Sequence, residues 1–98
     1  MISYNIKYGS SIIVKVEGHA DYSEEGTDIV CASVSSLITM TVNLVDNFGY
    51  KFKDVKLEKG FSSFEVASDD VTKNIVTTLE ELLDSLVKKY PSYIKRIS

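Results

Sequence analysis

The strongest constraint on this chain is a hydrophobic period that changes from two to 3.6 residues and then does so again. Ile2, Tyr4, Ile6 and Tyr8 alternate with Ser3, Asn5 and Lys7, the spacing of a strand with one face on a core. Gly9 and Ser10 supply a tight turn, and Ile12, Val14 and Val16 resume the alternation against Ile13, Lys15 and Glu17, so the first two segments predict a β-hairpin. From Asp28 to Phe48 the period becomes helical through Val30, Val34, Leu37, Met40, Thr41, Leu44, Val45 and Phe48, and Gly49 is placed to end the helix. Ile29, Ile38 and Val42 widen that apolar surface beyond one stripe, which predicts a largely buried helix or one that also meets a second subunit.

A second hairpin is expected from Lys51 to Lys59 and from Phe61 to Ala67, around Gly60, burying Val55 with Leu57 and Phe64 with Val66. A second helix is expected from Asp70 to Lys89, with a stripe of Val71, Ile75, Leu79, Leu82, Leu83 and Leu86. Acids in its first turn and Lys88 and Lys89 in its last suit the helix dipole, and Pro91 ends it. Ser92 to Ile97 could add a short edge strand. The order ββα-ββα, with this possible C-terminal strand, predicts an α+β fold: a two-layer sandwich of antiparallel hairpins carrying two helices. Its 98 residues, 44% of them hydrophobic, suit one domain over 1–98.

Charge and cysteine usage narrow the function. Eleven basic against fourteen acidic residues leave a net charge of -3, and the absence of a basic cluster beside an aromatic platform argues against nucleic acid. A single cysteine excludes an intramolecular disulfide, and no basic stretch followed by a long apolar run opens the chain, so a soluble, cytoplasmic protein is expected. Ser, Thr and Asn interrupt the most hydrophobic helix, which should keep it short of the roughly 20 apolar residues of a membrane span.

The segment between the first hairpin and the first helix carries the chemistry. It holds the chain's only histidine, His19, and its only cysteine, Cys31, separated by eleven residues. Ala20 to Thr27 has no period and reads as an exposed loop hinged at Gly18 and Gly26. If Thr27 or Asp28 caps the helix, Cys31 falls in its first turn, where amide N–H groups and the positive dipole end favour a thiolate. The loop is long enough to bring His19 from the strand end to the helix start. Strand parity puts His19 on the face opposite Val14 and Val16, so a bend at Gly18 would turn it toward the helix. Asp28 could orient the imidazole or cap the helix, and Ser35 lies one turn beyond Cys31 on the same face.

The residues alone also fit plainer roles: a small core cysteine and a surface histidine. One Cys, one His and Asp28 make a poor zinc site without a second cysteine at the usual spacing, so no metal or cofactor is expected. Redox sensing by Cys31 would leave the histidine unexplained.

Gly18-His19-Ala20, a Gly-containing loop, and Asp28-Ile29-Val30-Cys31-Ala32-Ser33-Val34-Ser35 resemble the signature of the ribosomal-processing cysteine proteases called Prp. Ser33 replaces a frequent second alanine, a small-for-small change. The resemblance runs over nearly the whole chain. It implies a small α+β homodimer and an endopeptidase with Cys31 as nucleophile, His19 as general base, and Asp28 and Ser35 in supporting positions. The implied substrate is the N-terminal extension of the twenty-seventh protein of the large ribosomal subunit, cut after an aromatic pair. The first helix is the expected dimer interface. Asp21, Glu24, Glu25 and Asp28 could attract such a basic substrate. The competing expectations are a catalytically silent module that binds a ribosomal protein and a thiol hydrolase of another substrate.

Overall fold

The computed structural model describes residues 1–18 and 29–97. Its elements run β1 (Ile2–Tyr8), β2 (Ser11–Glu17), α1 (Ile29–Asn47), β3 (Phe52–Glu58), β4 (Phe61–Ala67), α2 (Asp70–Lys89) and β5 (Ile94–Arg96). The strands form one sheet in the order β3-β4-β2-β1-β5. Both hairpins are antiparallel, as is the β2–β4 pairing that joins them, whereas β5 returns parallel to β1 after the crossover through α2.

Pairing places buried residues in rows across the sheet, because directly opposite side chains share a face. Tyr4, Val16 and Ser62 make one such row, and Ile6, Val14 and Phe64 the next. Except for partly exposed Ser62, these residues are buried, as are Val30, Val34, Ile38 and Val45 of α1 and Ile75, Val76, Leu79 and Leu83 of α2. The result is the expected two-layer α+β sandwich.

α1 ends in a Schellman motif. Tyr50 N–H donates to the Val45 carbonyl at 3.3 Å and Gly49 N–H to Asp46 at 2.9 Å, with Gly49 at φ 89 in the left-handed region that glycine adopts without strain. Over its 19 residues α1 is long and apolar enough, by length and composition, to cross a membrane. This corrects the expectation that its Ser, Thr and Asn residues lower it below that mark. Here the helix lies over the sheet and buries Val30, Val34, Ile38, Thr41 and Val45.

Three further expectations about burial are overturned. On β3, Val55 and Leu57 are 43% and 50% exposed, because the helical layer stops short of this outermost strand. On α1, Met40 and Phe48 are exposed although they belong to the helical stripe. On α2, Val71 and Leu82 are exposed while Thr72 and Val76 are buried, so the buried face is rotated by part of a turn.

That rotation follows from the helix cap. Asp69 accepts from Thr72 N–H at 2.9 Å, and the Thr72 hydroxyl accepts from Asp69 N–H at 2.9 Å while donating to the Ala67 carbonyl at 2.8 Å. A buried hydroxyl with this many partners directs the first turn of α2 inward. Thr72→Val, which keeps the shape and removes the partner, is expected to lower stability by about 1–2 kcal/mol in urea denaturation. The Tyr50 hydroxyl, and next the Thr72 amide, hold the Asp69 carboxyl below its ordinary value. A carboxyl lowered on folding stabilises above its unfolded value and loses that contribution as pH falls through its folded value. The stability gap between wild type and Asp69→Asn is therefore expected to shrink below about pH 4.

The far side of α2 is tied to the sheet edge by polar groups. Tyr4 Oη donates to Asp84 at 2.5 Å and Tyr8 Oη to Glu80 at 2.9 Å, while Arg96 of β5 bridges Glu80 at 2.5 Å and Asp84 at 3.4 Å. Burial, reinforced by the Asp84 hydrogen bond, pushes the Tyr4 hydroxyl's pKa upward, so it stays a donor.

Candidate active site

Cys31 is the third residue of α1 and is partly exposed. The first amides of a helix have no intrahelical acceptor, and with the dipole they make this position favourable to negative charge on sulfur. The same amides could donate to an oxyanion formed at a carbonyl next to the thiol.

Cys31 lines a cleft of about 240 Å³ between the start of α1 and the ends of the central strands. Gly18, at the end of β2, lines this cleft together with Cys31, and so does Ser35 one helical turn on. Three of the expected site residues thus come together. His19, Asp28 and Gly26 lie outside the described residues, as do the loop expected from Ala20 to Thr27 and the acidic Asp21, Glu24 and Glu25.

Gly18 is held tightly for a strand end. Its N–H donates to the Gly60 carbonyl at 2.9 Å, tying β2 to the β3–β4 turn. Its φ of +99 is strained for any other residue, and a Cβ there would stand 2.3 Å from the Met1 carbonyl oxygen. β2 ends at Glu17, and Gly18 forms a bend immediately before His19 in sequence.

The opposite wall of the cleft comes from the β3–β4 turn, through Glu58, Lys59, Gly60, Phe61 and Ser62. Sequence reasoning missed this wall. The turn was readable from Gly60, but its position depends on the pairing of β2 with β4, in which Glu17 faces Phe61 and Val16 faces Ser62. Nothing local in the sequence announces that pairing. Among the described residues, no group of three His, Cys, Asp or Glu side chains could hold a metal ion.

Known proteins share both the sequence and the geometry. The curated ribosomal processing cysteine protease Prp of Staphylococcus aureus strain Mu50 is 28% identical over 86 residues, covering 84% of this chain and 81% of the relative. The crystal structure of an essential ribosomal processing protease Prp from S. aureus, in complex with a covalently linked product peptide, superposes with a TM-score of 0.88. That pair is 25% identical and covers 98% of this chain and 97% of the other. A Streptococcus mutans structure, at 21% identity with 98% and 91% of the two chains covered, shares the fold with a TM-score of 0.73. The family profile described as cysteine protease Prp matches residues 1–95, and with almost the whole chain matched and Cys31 at a helix start in a cleft that Gly18 also lines, this chain belongs to the cysteine protease Prp family.

Proposed function

We propose that this cysteine protease removes the N-terminal extension of a large-subunit ribosomal protein, the twenty-seventh, cutting after an aromatic pair, with Cys31 as nucleophile and His19 as general base. The observation that carries the reading is that Cys31 and Gly18, the residue before His19 in sequence, line one cleft. The S. aureus relative is named a ribosomal processing protease, and its structures hold a substrate peptide or a covalently linked product peptide.

In the proposed cycle the Cys31 thiolate attacks the scissile carbonyl carbon, and first-turn amides of α1 receive the oxyanion. The C–N bond breaks as the His19 imidazolium gives its proton to the leaving amine, which leaves a thioester on sulfur. Water then attacks the thioester, His19 takes its proton, and the carboxylate product departs with the thiolate restored. Ser35, on the same helical face and in the same cleft, supports the substrate or the sulfur through its hydroxyl. Asp28 caps α1 or orients His19, and Gly18 and Gly26 bound the loop that admits the substrate.

The protein works in this reading as a cytoplasmic homodimer. Met40 and Phe48 of α1 and Leu82 of α2 are exposed on the helical layer and border one apolar groove between the helices, a surface suited to a second copy.

The test is cleavage of a synthetic peptide spanning the extension junction, followed by mass spectrometry. A single cut after the aromatic pair is expected, with at least about tenfold lower kcat/KM when the pair is replaced by two alanines. Cutting elsewhere, or equal rates for both peptides, would overturn the substrate assignment.

A further inference from the structure

The uncovered inner face of β3 has a use that its burial does not explain. Leu57 pairs with Ser62, which pairs in turn with Val16, and Val55 pairs with Phe64, which pairs with Val14. Opposite residues share a face, so both rows lie on the helical side of the sheet. Val14, Phe64 and Val16 are buried beneath the helices, whereas Val55 and Leu57 at the ends of the rows are 43% and 50% exposed.

A single exposed leucine is uninformative. Leu57 adjoins the cleft, because Val16 and Ser62 line it with Cys31 and Leu57 is the next residue in that row; Val55 lies two residues along β3 on the same face. Strands in a sheet are about 4.8 Å apart, and an extended peptide advances about 3.3–3.6 Å per residue. Leu57 therefore lies one strand beyond the cleft, a distance that a bound peptide covers in one or two residues. Protection of the sheet edge does not account for the apolar pair either. β3 carries Lys53, Lys56 and Glu58 and an irregularity between Phe52 and Asp54, the usual devices against edge-to-edge pairing.

We infer that Leu57 and Val55 form an apolar subsite for the substrate peptide, receiving a bulky apolar side chain of the peptide next to the cleft. This rests on the reading that Cys31 cleaves a peptide in this cleft. The subsite sits on a paired strand, and Val55 and Leu57 are exposed there, so specificity arises from an existing surface.

The test compares Leu57→Ala and Val55→Ala with wild type on two peptides, one with its native apolar residues beside the scissile bond and one with alanine there. Circular dichroism checks folding, and the rate of Cys31 alkylation by iodoacetamide checks the thiol. Leu57→Ala is expected to lower kcat/KM about tenfold for the apolar peptide and less than twofold for the alanine peptide. Affinity measured by fluorescence anisotropy in the Cys31→Ala background should show the same selective loss, and it requires no turnover. Equal losses on both peptides, or none, would overturn the subsite. So would conversion of a dimer to a monomer by Leu57→Ala with peptide discrimination unchanged, which would give the face to a second copy. Full cleavage by Cys31→Ala would instead refute the nucleophile, and the anisotropy comparison would still decide the subsite.

Discussion

Replacing Cys31 by alanine is expected to lower kcat/KM for the junction peptide by at least about 10⁴-fold, the scale on which removal of a nucleophile acts. The fold should survive. Alanine is the best helix former, and Cys31 is only partly buried in the first turn of α1, so circular dichroism and the thermal midpoint should change little. His19→Ala should lose a comparable factor, and the double variant little more than either single one, because residues that act as a unit are not additive. A double variant that loses the product of the two single effects would mean that the residues act independently.

The second large effect is expected at Gly18. Its positive φ strains any other residue by about 1–3 kcal/mol, and the added Cβ would stand 2.3 Å from the Met1 carbonyl oxygen. Neither partner is a flexible side-chain end, so the backbone must move. The most direct movement breaks the Gly18 N–H bond to the Gly60 carbonyl and separates the two walls of the cleft. Gly18→Ala is therefore expected to cost at least about 2 kcal/mol in urea denaturation and to reduce cleavage more than that instability alone predicts. Gly9→Ala is the control, since a Cβ there meets nothing nearer than the Ser11 carbonyl oxygen at 3.7 Å. Equal stability of the two variants would show that the close approach at Gly18 does not constrain the fold.

The contrast between the hairpins explains what could be read in advance. The alternation from Ile2 to Val16 and the helical stretch from Asp70 to Lys89 are local patterns, and both appear as expected. The same kind of alternation predicts burial of Val55 and Leu57, yet both are exposed, because burial depends on which strands the helices cover. That is decided by the order β3-β4-β2-β1-β5, which places β3 at the end of the sheet. Thr72 teaches the same lesson in reverse: a polar residue outside the apolar stripe is buried because its hydroxyl serves the cap and the Ala67 carbonyl.

The site was legible to the same extent. Gly18, Cys31 and Ser35 share one cleft because a strand end and a helix start meet there, and both ends could be located from local signals. The wall from Glu58 to Ser62 could not, since it reaches the cleft only through the long-range pairing of β4 with β2. The substrate surface proposed at Leu57 belongs to this second, non-local half of the site.

Intact-mass spectrometry of the protein quenched in acid during turnover decides whether Cys31 is the nucleophile. A transient adduct is expected, carrying the N-terminal part of the junction peptide as a thioester on Cys31, with the amine fragment equal in amount to the adduct plus the carboxylate product already released. The adduct should be absent from Cys31→Ala and removable by hydroxylamine. Peptide cleavage by Cys31→Ala at the wild-type rate, or an adduct mapped to any other residue, would contradict that role.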